Sequence, residues 1–304
     1  MNLPSIRQLQ YLIAVVELRH FGQAAERCFV TQSTLSSAIQ ELEALLGTQL
    51  LERTKRKVTP TPLGLEMADR ARQVLQLSAA MVELAQQDKA PLAGPLKLGV
   101  IPTIGPFLLP QILPKLRKRY PELELYLIED QTARLIERLN SGEIDAAILA
   151  LPYELGQLES AIFWHESFSV VFPRNHPLSQ GGAIRSVKLP SDQLLILEEG
   201  HCMRDHALAA CHLSELRQTS TFQGTSLYTL IEMVAGGQGI TFLPQMAVDS
   251  GMARHHGISL RPLAEKGPHR EIGLVWRPTY HRKHDLQLLI ESITEVLEKK
   301  AGRA

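Results

Sequence analysis

Apolar residues first recur at helical spacing. Between Ile6 and Leu18 they fall at Leu9, Leu12, Ile13 and Val16, one stripe of an amphipathic helix. Phe21 to Arg27 predicts a short second helix, with Ala24 and Ala25 small enough for close helix contact. A brief turn at Cys28-Phe29-Val30 follows, with Cys28 expected in the core of this small domain. Thr31 is a good N-cap, and the helix behind it places Leu35, Ile39, Leu42 and Leu46 on one face until Gly47 can end it. Thr61-Pro62 restarts a helix with Pro in its first turn. It is expected to run to about Asp88, roughly 40 Å at ~1.5 Å per residue. Ala68, Ala71, Leu75, Ala79, Val82 and Ala85 form a seam on it that suits pairing with a second copy. Lys89 to Pro95 then breaks the pattern with two prolines and a glycine.

From Leu96 short apolar runs alternate with amphipathic stretches. Leu96–Ile101, Leu123–Ile128, Ala146–Leu151, Phe168–Phe172, Leu194–Leu197, Ile240–Leu243 and Glu271–Trp276 read as strands. Helices are expected at Phe107–Tyr120, Ala133–Ser141, Asp205–Leu216, Leu227–Ala235, Pro244–Ser250 and Asp285–Lys300. Such alternation implies parallel sheets covered by helices.

With 304 residues, the chain has room for two or three domains with their own cores. The formal net charge is zero, so no global basic balance announces nucleic acid and any such signal must be local. Two local signals stand together. Thr31, Gln32, Ser33, Thr34, Ser36, Ser37 and Gln40 crowd the start of the third helix with short hydroxyl and amide side chains suited to base edges in a major groove. Arg53, Lys55, Arg56 and Lys57 follow, flanked by β-formers, as a wing that would contact phosphates. Only three cysteines are present, which points to a reducing cytosol rather than a disulfide framework. No signal peptide and no 18-residue apolar run are read, so a cytoplasmic protein without a membrane span is expected.

The remaining chemistry is concentrated in Glu198–Cys211, E-E-G-H-C-M-R-D-H-A-L-A-A-C. Gly200 ends a strand candidate, which sets Cys202 at or just before a helix N-terminus, where the dipole favours an anion. His201, Arg204 and His206 supply actual or potential positive charge, and both influences are expected to lower the thiol pKa and favour the reactive thiolate. If Cys202 to Cys211 were helical, their Cα atoms would be roughly 13 Å apart, beyond the about 4.4–6.8 Å a disulfide requires. Pairing these thiols would then require the segment to refold. Inert buried cysteines and a zinc site drawing on His201, Cys202, His206, Cys211 and His212 are the alternatives, although the spacing fits no usual zinc pattern. Thr103, in the strand-to-helix turn Ile101–Pro106, and Thr132, opening the next helix, could hold a small polar ligand or simply cap helices.

Residues 6–88 resemble the DNA-binding head and linker helix of LysR-type transcriptional regulators. The likeness is carried by Ala24-Ala25-Glu26, Thr31-Gln32-Ser33-Thr34-Leu35-Ser36, Ile39, Leu42-Glu43, Gly47, Leu51-Glu52-Arg53 and Thr59-Pro60-Thr61, with Ser33 where the family more often has Pro. Val234–Pro244 resembles a motif in the family's second lobe. The resemblance implies an all-α winged helix-turn-helix domain at 1–60, a linker helix at 61–88, a hinge at 89–95 and an α/β regulatory domain at 96–304. That domain would comprise two periplasmic-binding-protein-like lobes, lobe I from 96–167 and 270–304 and lobe II from 168–269.

Gly200–Asp205 with the gap to Cys211, together with Ile101-Pro102-Thr103, Asp130-Gln131-Thr132 and Pro268–Ile272, resembles the peroxide-sensing branch of the family. That likeness implies Cys202 as the peroxide-reacting cysteine and Cys211 as the resolving one, with Thr103, Thr132, His201, Arg204 and Arg270 around the peroxide. The expected partners are a double-stranded DNA operator, hydrogen peroxide, further copies in a homotetramer, and RNA polymerase, with no metal or organic cofactor. The rivals are a regulator gated by an organic effector with inert cysteines, a thiol peroxidase, and a periplasmic solute-binding protein.

Overall fold

The first helix, α1 (Ile6–Leu18), is started by a reciprocal cap: the Ser5 hydroxyl accepts from the Gln8 amide at 3.2 Å and the Gln8 side chain accepts from the Ser5 amide at 2.9 Å. Its stripe buries Leu12 in one core with Leu35, Ile39 and Leu42 of α3 (Gln32–Leu46) and Ala24 and Ala25 of α2 (Phe21–Arg27). Gly47 ends α3 at a φ of 68°, a conformation glycine adopts without penalty. Strands β1 (Leu51–Arg53) and β2 (Val58–Pro60) pair antiparallel as the wing's stem. Helix α4 (Pro62–Leu84) then packs back on α1.

The computed structural model describes residues 3–53, 58–84, 90–198, 200–210, 223–224, 226–254 and 257–301, and the chain falls into two units, Met1–Asp88 and Lys89–Ala304. In the first, the seam expected to serve a second copy is partly used at home. Ala68 and Ala71 are buried in the head's own core and Leu75 packs against it, because α4 must cover α1. The apolar residues that α4 leaves exposed include Val74, Leu77, Met81 and Val82. Residues 85–88 lie outside the described set.

Among the described residues the second unit holds a five-stranded sheet, a three-stranded sheet and a small parallel pair of strands. Strands β3 (Gly94–Val100), β4 (Leu123–Glu129) and β5 (Ala146–Leu151) run parallel, linked by α5 (Gly105–Arg119) and α6 (Thr132–Ser141). The chain continues through β6 (Glu159–Glu166) and, after one residue, enters the second sheet at β7 (Phe168–Pro173). There follow β8 (Ile196–Leu197), α7 (Cys202–Ala210), β9 (Gln223–Gly224), α8 (Leu227–Ala235), β10 (Thr241–Pro244), α9 (Gln245–Asp249) and β11 (Ile258–Pro262). The chain then returns to the first sheet as β12 (Arg270–Trp276) and ends in α10 (Lys283–Ala301). The first sheet has the order β4-β3-β5-β12-β6, and β7 lies between β10 and β11 in the second. We call these layers lobe I and lobe II.

Strand direction departs from the all-parallel expectation. Strand β12 is antiparallel to both β5 and β6, and β7 is antiparallel to both of its neighbours. The cause is the double crossing: a chain that leaves a sheet at one edge and returns from the other lobe enters in the opposite sense. Strand β6 went unread because it alternates with exposure and carries charge at both ends, as an edge strand can. Strand β5, buried at all six positions, read plainly as apolar. No described helix is long and apolar enough to cross a membrane.

Candidate functional site

The parallel strands of lobe I deliver their C-terminal ends to one edge, where ligand sites of open α/β sheets form. Thr103 lies in the turn after β3, Thr132 is the first residue of α6 after β4, and Ala150 is near the end of β5. Strand β12 runs the other way, so its first residue, Arg270, arrives at the same edge, directly across from Glu166, the last residue of β6. Lobe II contributes Cys202, the first residue of α7, as the strand-to-helix reading expected.

Arg270 holds this edge together. Its side chain is fully buried; Nε donates to Glu166 Oε2 at 2.6 Å, Nη1 to the Thr103 hydroxyl at 3.1 Å and Nη2 to the Thr103 carbonyl at 3.2 Å. Its guanidinium also lies 5.8 Å from the centre of the Phe168 ring. The other Glu166 oxygen accepts from the Met246 amide, at the start of α9 in lobe II, at 2.5 Å. A buried charge needs such pairing. The sequence reading missed Glu166: one acid at the end of an unread strand carries no local signal.

The Cys202 thiol is buried, 4 % exposed. Burial pushes its pKa up, while the Thr132 hydroxyl, the Arg270 charge and backbone hydrogen bonds from Ala150 and Met203 pull against that rise. The net direction contradicts the expected lowering. The sequence counted His201 and His206 as potential cations, but both are buried and their pKa values are pushed down, chiefly by desolvation. The positive charge that acts on the sulfur comes instead from Arg270, 68 residues along the chain. Among the described residues the Thr132 hydroxyl has no oxygen or nitrogen partner, and it is buried beside the thiol.

His201 approaches Glu198 at 3.8 Å and, with Thr103, lines a cavity of about 100 Å³ between the lobes. Pro106 and Phe107 close it from lobe I, and Leu197 and Leu227 from lobe II. That volume suits a few water-sized molecules and falls below the roughly 300–1,000 Å³ of pockets for larger organic ligands. Gly200 has a φ of 95°, and a Cβ there would meet Gln131 Oε1 at 2.6 Å, so glycine lets the Gln131 amide reach across to Glu198 at 3.4 Å. Of the expected residues, Thr103, Thr132, Cys202 and Arg270 gather at this edge, and His201 joins Thr103 at the cavity. Arg204 is buried on α7. Cys211 lies outside the described residues, and Cys202 is a free thiol.

The first unit offers a polar helix start. Thr31 caps α3 by accepting from the Thr34 amide at 3.2 Å, and its hydroxyl contacts those of Ser33 and Thr34 at 2.9 and 2.7 Å. Thr31, Gln32, Ser33, Thr34, Ser37 and Gln40 are exposed, whereas Ser36 is half-buried. Arg53 ends β1; Lys55, Arg56 and Lys57 lie outside the described residues.

Residues 6–65 match the bacterial regulatory helix-turn-helix protein family, lysR type, and residues 89–298 match the LysR substrate binding domain. The chain is 42 % identical to the DNA-binding transcriptional dual regulator OxyR of Escherichia coli over 95 % of this chain and 94 % of that protein. A full-length cysteine-to-aspartate OxyR variant from Pseudomonas aeruginosa superposes with a TM-score of 0.77 at 38 % identity, covering 96 % of this chain and 98 % of that one. A hydrogen-peroxide-bound cysteine-to-serine variant of Corynebacterium glutamicum OxyR gives 0.66 at 30 % identity, covering 99 % and 95 %.

Proposed function

This chain belongs to the LysR family of bacterial helix-turn-helix transcriptional regulators, and from that premise we propose that it is a peroxide sensor whose switch is the thiol of Cys202. It is a regulator rather than an enzyme, as its relatives are. The observation that carries the reading is the buried edge where a free cysteine at a helix start shares its surroundings with Thr132 and an arginine already bonded to Thr103. The small cavity beside it favours a ligand of peroxide's size over an organic effector.

The chemistry runs in two steps. The Cys202 thiolate attacks one peroxide oxygen, the O–O bond breaks, and the departing hydroxide takes a proton to become water. Cys202 is left as a sulfenic acid. The Cys211 sulfur then attacks Cys202, water leaves, and a disulfide forms. Arg270 and the Thr132 hydroxyl stabilise the sulfur anion that burial disfavours. Thr103, Thr132, His201, Arg204 and Arg270 surround the peroxide. Closing the disulfide unwinds α7, and the lobes reorient within a homotetramer paired in part through the exposed residues of α4. The helix-turn-helix heads shift on their operator DNA, changing access for RNA polymerase in the cytoplasm, and cellular thiols reset the bridge.

Mass spectrometry after brief low-dose peroxide is expected to find an internal Cys202–Cys211 bridge. Both thiols remaining free would refute the sensor and return the cysteines to inert residues of an effector-gated regulator. The DNA surface is tested separately. Thr31, Gln32, Ser33, Thr34, Ser36, Ser37 and Gln40 face base edges, and Arg53, Lys55, Arg56 and Lys57 face phosphates. Neutralising Arg53, Lys55 and Arg56 together should flatten the slope of log affinity against log salt by about 0.9 for each phosphate that the protein no longer neutralises. An unchanged slope in a binding titration would remove the wing from the interface.

A further inference from the structure

One turn beyond Cys202, on the same face of α7, stands a histidine that the peroxide chemistry leaves unused. His206 is 7 % exposed, and its Nε2 lies 3.0 Å from the Pro152 carbonyl oxygen. A carbonyl only accepts, so Nε2 carries the hydrogen and Nδ1 of the neutral ring is a lone pair. That Nδ1 is buried without a hydrogen-bond partner among the described residues. Pro152 directly follows β5 in lobe I, whereas α7 belongs to lobe II, so the bond spans the lobes. It lies beside the seat of the sulfur, because Cys202 is hydrogen-bonded to the backbone of Ala150, two residues before Pro152. Two side chains from one helix face therefore dock on one strand end and fix the sulfur against Thr132 and Arg270.

We propose that His206 is a positioning residue for the peroxide reaction of Cys202: its neutral ring ties the helix bearing the sulfur to the strand end of the other lobe, and protonation of that ring unties it. This inference rests on the peroxide reading above. The second proton would have to sit on the orphaned Nδ1, as a buried donor with nothing to receive it. The charged groups facing the ring are Arg270 from β12, which opposes protonation, and Asp205 from its own helix, which favours it. Along the same two segments, Cys202, Arg204, Tyr153 and Glu154 are the remaining ionisable groups. Burial is the largest influence and, with Arg270, holds the imidazole below its ordinary pKa despite the Pro152 carbonyl and Asp205. A base with a depressed pKa here and an ordinary one when released makes the tied arrangement lose stability as pH falls below about 6.5 towards the depressed value.

The test is the second-order rate of Cys202 oxidation by hydrogen peroxide, measured on the full chain from about pH 5 to about pH 8, for the parent, H206Q and H206A. H206A is expected to react more slowly near neutrality by on the order of tenfold, the worth of one buried hydrogen bond. H206Q, whose amide N–H can reach the same carbonyl, should keep the parent's neutral rate. It should lose the steep acid-side fall, leaving only the shallower dependence of the thiol itself. The proposal is overturned by an H206A rate equal to the parent's, by H206Q as slow as H206A, or by an acid limb as steep in H206Q as in the parent. Should H206A fail to fold, the H206Q profile decides alone. A parent whose Cys202 does not react with peroxide overturns instead the sensor reading beneath this inference.

Discussion

The Cys202→Ser chain is expected to give one DNA footprint with and without peroxide, while the parent's footprint changes on oxidation. The loss should be complete rather than graded. A serine hydroxyl fits the same buried seat and can keep the hydrogen bonds from Ala150 and Met203, so the fold and the helix-turn-helix head should persist. What disappears is the sulfur that takes the oxygen, since only a thiol enters the sulfenic-acid and disulfide ladder. Footprinting on an operator fragment, alongside thermal unfolding of both proteins, separates lost sensing from lost folding. A peroxide-dependent footprint that survives in the serine variant would sink the mechanism.

Arg270→Ala is expected to have the largest effect on stability, because it removes one partner of a fully buried ion pair. Among the described residues Glu166 would keep only the Met246 amide at 2.5 Å to compensate its charge, and Thr103 would lose both bonds to Arg270. Stranding one member of such a pair costs about 3–5 kcal/mol, measurable as a fall in the denaturant midpoint. A paired change, Arg270→Met with Glu166→Gln, should recover much of that loss, since neither side chain then carries an unmatched charge. The recovered protein should still oxidise slowly, because the positive charge that favours the Cys202 anion is gone. Fast oxidation in that stable double variant would show that Arg270 serves architecture alone. Lysine is a poor substitute, as one ammonium cannot reproduce the fork that holds Glu166 and Thr103 together.

Much of the molecule can be read without coordinates wherever the signal is local. The stripe of Leu35, Ile39 and Leu42 and the Thr31 and Gly47 caps place α3, and the same three leucine and isoleucine positions are buried. Helix α8 and strand β5 have the bounds their periodicity gives, Leu227–Ala235 and Ala146–Leu151. Cys202 opens α7 because Gly200 breaks the strand before it, also a local matter. The edge strand β6, the pairing direction of β7 and β12, and the internal use of Ala68 and Ala71 were not legible, since each depends on which distant segment lies alongside.

The sequence by itself determined the helices, the winged head, the family and the position of the cysteine at a helix start. All of these follow from caps, periodicities and motifs that act within a few residues. The tertiary structure alone decided the ionisation of the site. It buried the two histidines near Cys202 and so pushed their pKa values down, and it raised the pKa of the thiol that nearby charge was expected to lower. It also brought Arg270 and Glu166 from separate strands to the sulfur's edge. A pKa depends on the water removed and the charges brought near, and both are set by folding rather than by sequence neighbours.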